Sequence, residues 1–334
     1  MIVLNWNGLR FLGPCILSLV KQTVPVREII LVDNGSDDGS VEYVRRNFPF
    51  VKIVENNANL GFAEGNNIGL RSAGGDYLIV LNNDTRASPN FIEVLVNCAS
   101  SDPQAGSVGC RIVQEDGSFR YGPCYANMSF LVPLFMGTKF LPERLGRLFS
   151  EEGQCATNCA TAVLYTRRAL EVVGGFDGDF WSDWEDHDLG LRIRLAGYKN
   201  LYTTKTNVLH VGAGSFGGDL SKERYGRIVR NMLFTYVKNY EASNLATSFF
   251  FLMWVVLPIR HMLLVISSEL VRLTRRSSQD TTAVSRRVYA GLPEAYLSFL
   301  QSLRTVMRKR AMVQSDRKVS DSIIFSTTRR RWVI

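Results

Sequence analysis

Residues 176–198, FDGDFWSDWEDHDLGLRIRLAGY, hold the densest group of side chains that could do chemistry. Six acids fall within twelve positions and alternate with three large aromatic residues: Asp177, Asp179, Asp183, Glu185, Asp186 and Asp188, with Phe180, Trp181 and Trp184 among them. Acids this close repel one another, so such a cluster is unfavourable unless cations are present or a function requires it. The cluster therefore marks a candidate site, and an acidic helix cap is the alternative.

Glu185 and Asp186 fall where a helix is predicted to begin. The apolar residues of 189–195 predict a helix that ends at Gly197. The positive end of the helix dipole favours the ionised form of acids in the first turn. An ionised carboxylate beside tryptophan rings suits a general base that takes a proton from a sugar hydroxyl stacked on the ring.

Three further polar positions could bind a ligand. Asp33 closes the apolar run 28–32 and could accept a hydrogen bond from a ribose hydroxyl or a base, or simply belong to a turn. Asp84 follows the run 77–81 and could bind a divalent cation that bridges a diphosphate, or cap the next helix. His210 precedes the Gly-rich stretch VGAGS and could bind a metal or a phosphate, or be structural.

Short apolar runs and helical patterns alternate through the first hundred residues. The runs are 1–6, 28–32, 51–54 and 77–81, and the helical patterns are 11–21, 40–47, 63–72 and 89–98. This alternation predicts an α/β fold with a doubly wound, mostly parallel, Rossmann-like sheet. Ligands bind beyond the carboxyl ends of the strands in such sheets, where Asp33 and Asp84 fall. No GxGxxG follows the first strand, which argues against a dinucleotide-binding fingerprint, and the sequence contains no GxxxxGK[ST], which argues against a P-loop function.

Five strings in order give the chain a resemblance to a known family. They are VDNGSDDGS, NLGFAEGNNIGL, NND after an apolar strand, GGFDGDFWSDWEDHDLGLRIRLAGY, and LHVGAGS. The chain resembles the family 2 glycosyltransferases of the GT-A fold, in particular the rhamnosyltransferase-like branch, over residues 1–239. The resemblance implies an inverting transfer from a nucleotide-diphosphate donor, of the dTDP-rhamnose or UDP-sugar type. The acceptor would be a hydroxyl of a saccharide, either lipid-linked or part of a cell-envelope glycan.

The resemblance also implies a site. Asp186 matches the family's catalytic base, and Asp84 and His210 match positions that bind Mg²⁺ or Mn²⁺ on the diphosphate. The donor nucleotide would contact Asn5, Asp33, Asn59, Gly61, Phe62, Asn66 and Asn83. The acceptor would contact Trp181, Trp184 and Glu185. The sequence departs from the two-acid DxD pattern, because Asp84 is its only acid.

The charge is distributed unevenly along the chain. The protein has 334 residues, of which 46% are hydrophobic and 21% charged, and these values exclude disordered, collagen-like and multi-span membrane proteins. The formal net charge is +8, yet residues 267–334 alone hold fourteen basic against five acidic residues. Residues 1–266 are therefore close to neutral. Nucleic-acid binding, which needs basic residues across the folded domain, is not expected.

Two segments after the predicted transferase domain suggest contact with a membrane. Residues 245–266 are apolar but interrupted by Pro258, Arg260 and His261, which fits an interfacial helix, a single span or a buried packing helix. Residues 293–313 predict a basic amphipathic helix. Its apolar face would carry Leu297, Leu300, Leu303 and Met307, with Arg304, Arg308, Lys309 and Arg310 nearby. The expected partner is an anionic membrane surface, at the cytoplasmic face of the cell membrane.

The predicted organisation has three parts. Residues 1–240 form the transferase domain, with a nucleotide-sugar half at 1–100 and an acceptor half at 101–240. Residues 128–149 could form a flap on the acceptor side or simply an irregular connection. Residues 241–266 form a membrane-associated helix, and residues 267–334 a basic helical tail. Two other functions stay open, a polyprenyl-phosphate glycosyltransferase and a non-catalytic sugar-nucleotide-binding module. The paired tryptophans favour a sugar acceptor over a phosphate.

Overall fold

The computed structural model describes residues 1–121, 152–212, 221–251 and 291–324. The strands are β1 (Ile2–Asn5), β2 (Ile30–Asp33), β3 (Lys52–Glu55), β4 (Tyr77–Asn82), β5 (Thr85–Ala87), β6 (Ala105–Val113), β7 (Phe119–Tyr121), β8 (Gly153–Cys155), β9 (Ala162–Thr166) and β10 (Lys199–His210). The helices are α1 (Leu9–Val20), α2 (Ser40–Asn47), α3 (Gly61–Ser72), α4 (Phe91–Ser100), α5 (Arg167–Val173), α6 (Glu185–Leu195), α7 (Lys222–Asn239), α8 (Ala242–Phe251), α9 (Leu292–Gln301) and α10 (Leu303–Ser315).

The first four strands form the parallel half of the sheet, in the order β3-β2-β1-β4. Successive side chains of a strand point to opposite faces, so Val3 and Leu31 pack under α1, α2 and α4, while Ile2 and Ile30 pack under α3. Helices cover both faces, which confirms the doubly wound α/β arrangement. Gly69 allows α3 to lie very close to the sheet, since a Cβ at this position would come within 2.3 Å of Ile2.

The other half of the sheet is mixed, so the prediction of a mostly parallel sheet was wrong beyond β4. The sheet continues β4-β9-β6-β10-β5, with β9 antiparallel to both neighbours, β10 parallel to β6, and β5 antiparallel to β10. Buried strands read as uninterrupted apolar runs whichever direction they take. The composition of β6 and β9 therefore carried no information about their direction.

A second apolar core lies on α7, away from the sheet. One side of α7 packs on α6 and on the loop before it, and α9 and α10 pack on α7 through Ala295, Phe299 and Val306. Two helices thus occupy the segment where one helix was predicted, with the break at Ser302. The division of the chain at residues 240 and 266 stays a prediction.

The described ranges contain no helix that is long and apolar enough to cross a membrane. The α8 helix covers only the beginning of the predicted membrane-associated segment. The rest of residues 245–266 and the predicted flap at 128–149 lie outside the described residues. Membrane association of the C-terminal helices stays a prediction.

Lysines supply the charge that holds the acidic loop onto α7. Lys238 is 3% exposed and lies 2.5 Å from Asp177 and 2.8 Å from Asp188. Lys309 of α10 adds contacts of 2.5 Å to Asp177 and to Asp179. Burial acts to raise the pKa of Asp177, but the two lysines outweigh it and hold that pKa well below its usual value.

Replacing Lys238 with Met should destabilise the fold strongly, because two buried carboxylates would lose their shared cation. We expect the free energy of unfolding at neutral pH to fall by about 3–5 kcal/mol. Asp177 stabilises the fold while it is ionised, so the difference should shrink as the pH falls from about 4 toward the lowered pKa of Asp177. Urea unfolding followed by circular dichroism measures it, with the exposed Lys318→Met as the control. Equal losses in the two variants would contradict this role of Lys238.

Candidate active site

A relay of side-chain amides joins the carboxyl ends of β4, β1 and β2. Asn83 Nδ2 donates to Asn5 Oδ1 at 2.6 Å, and Asn5 Nδ2 donates to Asp33 Oδ1 at 2.8 Å. The Ser36 hydroxyl and backbone N–H also donate to Asp33, at 2.6 and 2.8 Å. The structure thus brings together three of the predicted donor-binding residues. In this arrangement their polar atoms fix the shape of the loops at the edge of the sheet.

The predicted donor loop, residues 59–66, packs directly on Trp181. Asn59 Oδ1 accepts a bond from the backbone N–H of Gly61, which has a φ of +80°. A Cβ at Gly61 would lie 2.6 Å from the Trp181 ring, so only glycine allows this approach. Ala63 N–H then donates to the Trp181 carbonyl at 2.9 Å. The predicted donor and acceptor sides of the site therefore share one wall.

Phe62 and Asn66 occupy the first turns of α3. The Phe62 ring meets the Phe176 ring edge-on, with 6.0 Å between centroids. Asn66 Nδ2 donates to the Phe62 carbonyl at 2.9 Å. The Oδ1 atom of Asn66 is buried and has no hydrogen-bond partner within the described part of the chain. Because Asn66 is fully buried, this unpaired oxygen lies inside the fold, and the contact of Asn66 with a donor stays a prediction.

Asp84 and His210 come together because β5 pairs with the end of β10. His210 lies opposite Thr85 in this antiparallel pair, and Val211 N–H donates to the Asp84 carbonyl at 3.0 Å. The His210 Nε2 and Asp84 Oδ1 atoms are 3.0 Å apart. A carboxylate and an imidazole suit Mn²⁺ or Mg²⁺ when a substrate phosphate and water supply the other ligands. Over the described ranges, no group of three His, Cys, Asp or Glu side chains could hold an ion alone.

Asp186 lies in the first turn of α6, as predicted, and both of its oxygens are oriented by neighbours. Asp186 Oδ2 accepts from the backbone N–H of Ala160 at 3.1 Å, and Oδ1 accepts from the backbone N–H and Nδ1 of His187 at 2.8 Å each. Ala160 precedes Thr161, whose carbonyl accepts from Asn82 N–H at 2.9 Å. Ala160 and Thr161 thus connect Asp186 to Asn82 at the end of β4, and Asn82 lies two residues before Asp84.

The surroundings shift the pKa values of the two adjacent acids of α6 in opposite directions. Burial acts to raise the pKa of Asp186, but the charge and hydrogen bonds of His187 and the N–H of Ala160 outweigh it and lower that pKa. Burial, together with the charges of Asp186 and Asp183, raises the pKa of Glu185 well above its usual value. The surroundings thus favour the ionised form of Asp186 and the protonated form of Glu185.

The loop between Trp181 and Trp184 has a strained backbone. Trp181, Asp183 and Trp184 have φ angles of 60°, 67° and 74°. Bulky residues rarely adopt this left-handed region, and such strain persists only where the surrounding structure enforces it. The loop leads directly into the first turn of α6, so its strained conformation sets the position of Asp186.

Side chains of α7 enforce the strained conformation. Asn231 is fully buried, and its Nδ2 donates to the carbonyls of Phe180, Ser182 and Asp183 at 2.7–2.9 Å. Arg224 and Arg227 bind the Asp183 carboxylate at 2.9 and 3.1 Å. The sequence gives no sign of the role of Asn231, since nothing local marks its contacts.

Only one of the two tryptophans offers a ring to an acceptor. Trp184 is 4% exposed, and its ring stacks on His187 with 4.6 Å between centroids. Trp181 is partly exposed, and the guanidinium of Arg227 lies 4.7 Å from its ring centroid. Glu185 is buried. Trp181 is therefore the tryptophan on which a sugar could stack, while the buried Trp184 and Glu185 support the helix turn that carries Asp186.

Sequence comparison relates the chain to glycosyltransferases. The family described as Glycosyl transferase family 2 matches residues 1–174. An N-acetylglucosaminyl-diphospho-decaprenol L-rhamnosyltransferase of Mycobacterium tuberculosis is 32% identical over 231 residues, which are 63% of this chain and 73% of that protein. The O-antigen biosynthesis protein RfbC of Myxococcus xanthus is 27% identical over 62% of this chain and 16% of its own length.

Solved structures share the fold at low sequence identity. The mannosyltransferase PcManGT of Pyrobaculum calidifontis, in complex with GDP-Man and Mn²⁺, has a TM-score of 0.54 and 17% identity, over 94% of this chain and 84% of that one. GalNAc-T7 with UDP, GalNAc and Mn²⁺ has a TM-score of 0.52 and 18% identity, over 77% and 56%. These likenesses support the GT-A form of the sheet.

Removing the His187 hydrogen bond should raise the pKa of Asp186. His187→Phe keeps a ring against Trp184 but loses the Nδ1 donor and its charge. Because the ionised form of Asp186 would be the active one, the acidic limb of the kcat/KM profile should move to higher pH. His187→Asn keeps a short N–H donor and should leave the limb closer to that of the unmodified protein. An acidic limb at the same pH in the Phe variant would contradict this role of His187.

Proposed function

The chain belongs to glycosyltransferase family 2, and we propose that it transfers a sugar from a nucleotide-diphosphate donor to a hydroxyl of a lipid-linked saccharide, with inversion. The donor would be of the dTDP-rhamnose or UDP-sugar type. One observation carries the proposal, namely that an oriented Asp186 carboxylate is connected to the end of β4 beside the Asp84–His210 pair. A base and a diphosphate site at one edge of the sheet are what such a transfer needs.

Asp186 acts as the base in this reaction. It takes the proton from the acceptor hydroxyl as the oxygen attacks the anomeric carbon from the face opposite the diphosphate. The new glycosidic bond forms while the bond to the diphosphate oxygen breaks, and the proton ends on Asp186. A single displacement inverts the configuration without a covalent enzyme intermediate. The raised pKa of Glu185 favours its protonated form, which adds no second negative charge beside the Asp186 base.

Asp84 and His210 would hold the divalent cation. When bound, the cation supplies positive charge that stabilises the leaving diphosphate. The chain itself contributes the shape of the donor side. The Asn83–Asn5–Asp33 relay fixes the loops after three strands.

The acceptor side favours a sugar over a bare phosphate. Trp181 presents a partly exposed ring at the wall shared with the donor loop. Arg224 and Arg227 lie beside it, but both are engaged by Asp183. The name of the mycobacterial relative specifies a lipid-linked N-acetylglucosamine acceptor. That name supports the choice of a lipid-linked saccharide over a polyprenyl phosphate.

The proposal is tested with labelled dTDP-rhamnose and UDP-sugars and with two acceptors, N-acetylglucosaminyl-diphospho-polyprenol and polyprenyl phosphate. Sugar should pass to the saccharide acceptor. Asp186→Asn should slow transfer by about 10²–10⁴-fold, because the base is lost, while calorimetry shows unchanged donor binding. Glu185→Gln, which has the shape of a protonated carboxyl, should keep most of the activity. Comparison of the two variants separates loss of the base from disturbance of the loop.

Three results would count against the proposal. Transfer by Asp186→Asn at the unmodified rate would remove Asp186 as the base. Product formed on polyprenyl phosphate alone would identify the other class of transferase. Donor binding without transfer to either acceptor would contradict the acceptor class proposed here.

A further inference from the structure

The helices α9 and α10 have a second apolar side that faces solvent. It carries four side chains, here called the outer row: Leu297, Leu300, Leu303 and Met307, which are 57%, 61%, 38% and 49% exposed. The opposite side packs on α7 through Ala295, Phe299 and Val306. Soluble monomers rarely expose a continuous row of large apolar side chains unless something binds there.

The outer row is continuous although two helices carry it. Ser302 lies between them, its N–H donates to the Ser298 carbonyl at 3.1 Å, and its carbonyl accepts from Val306 N–H at 3.0 Å. Helical hydrogen bonding therefore runs through the break. Because the members of the row are spaced by three, three and four residues, they lie along one side of the helical path.

The basic residues of α10 divide between the two sides. Lys309 faces inward and binds Asp177 and Asp179, and Arg310 donates to the carbonyls of Val237 and Tyr240 at 2.5 and 2.6 Å. Arg304 and Arg308 are exposed and fall on the helical side of the outer row.

The outward side carries no opposing charge along its own length. The sequence contains no acid between Glu294 and Asp316. Within the described part of the chain, neither Arg304 nor Arg308 forms an ion pair. The outward side is thus apolar and cationic together.

We propose that the outer row, with Arg304 and Arg308, docks on an anionic lipid surface. The leucine and methionine side chains would enter the boundary between headgroups and acyl chains, and the arginines would bind lipid phosphates. A second copy of the chain fits less well, because a symmetric contact would bring these arginines toward their own copies. The proposal goes beyond the transfer reaction, since it concerns the surface on which the enzyme works.

Docking at this surface would place lipid near the acceptor side of the site. Lys309 follows Arg308 directly and holds Asp177 and Asp179, at the start of the loop that leads to Trp181 and on to the base. One helix therefore contacts lipid on one side and the catalytic loop on the other. A lipid-linked acceptor would then not have to leave the membrane to reach the enzyme.

Co-sedimentation of the full chain with vesicles tests the docking. The vesicles are phosphatidylcholine alone and its equimolar mixture with phosphatidylglycerol. The unmodified protein should bind the anionic vesicles, and the variant Leu297→Ser/Leu300→Ser/Met307→Ser should bind them at least tenfold more weakly. Arg304→Gln/Arg308→Gln should lose the preference for phosphatidylglycerol and its salt sensitivity. The control Leu17→Ser/Val20→Ser changes two α1 side chains that are 46% and 53% exposed, and should bind unchanged.

The docking proposal is overturned if the unmodified chain ignores anionic vesicles, or if the triple serine variant binds them undiminished. It is also overturned if the unmodified chain is a dimer that this variant converts to monomers without a change in vesicle binding. The triple variant should still transfer sugar to a short-chain, water-soluble acceptor; loss of that transfer with unchanged vesicle binding would contradict the docking role. Vesicle binding needs no catalysis, so its failure is distinguishable from failure of the proposed reaction.

Discussion

Six carboxyl groups lie between Asp177 and Asp188, and the neutralisation of four of them is the interaction on which the rest of the site depends. Lys238, Lys309 and the arginines of α6 and α7 compensate Asp177, Asp179, Asp183 and Asp188. The remaining two acids are Glu185 and Asp186. Burial and the charges of Asp186 and Asp183 raise the pKa of Glu185, whereas His187 and the N–H of Ala160 outweigh burial and lower the pKa of Asp186.

The same helix that neutralises the loop also fixes its shape. Asn231 satisfies three carbonyls of a backbone that passes through the left-handed region three times, and this holds Asp186 against Ala160. The family model matches residues 1–174, and the mycobacterial relative aligns over 63% of the chain. Contacts between distant segments of the chain hold the predicted base and its support in place. The described part of the C-terminal region adds Lys309 to that support.

Local pattern was enough to predict the first half of the fold, because short apolar runs and helical spacing are properties of neighbouring residues. The ends of the first four strands and four helices agree within about two residues, as expected of boundaries read from pattern. Local motifs also led to Asp84, Asp186 and His210 as candidate site residues, and their roles stay predictions. Strand direction in the second half of the sheet could not be predicted from local pattern, since β9 has the same composition in either direction. The contacts of Asn231, Lys238 and Lys309 join residues about 50 or more positions apart, and no local signal reports such pairs. The sequence also placed Lys309 and Arg310 with the membrane-facing charges, whereas the structure uses both to fasten α10 to the protein.

Asp186 is proposed to serve a single direct displacement at the anomeric carbon, and the configuration of the product tests this most directly. The measurement is the one-bond carbon–hydrogen coupling at the new anomeric centre, read by NMR from product formed with a donor of known configuration. Direct displacement should give a product of the opposite anomeric configuration to the donor. Retention of the donor configuration would contradict it, because retention needs a covalent intermediate or attack from the same face.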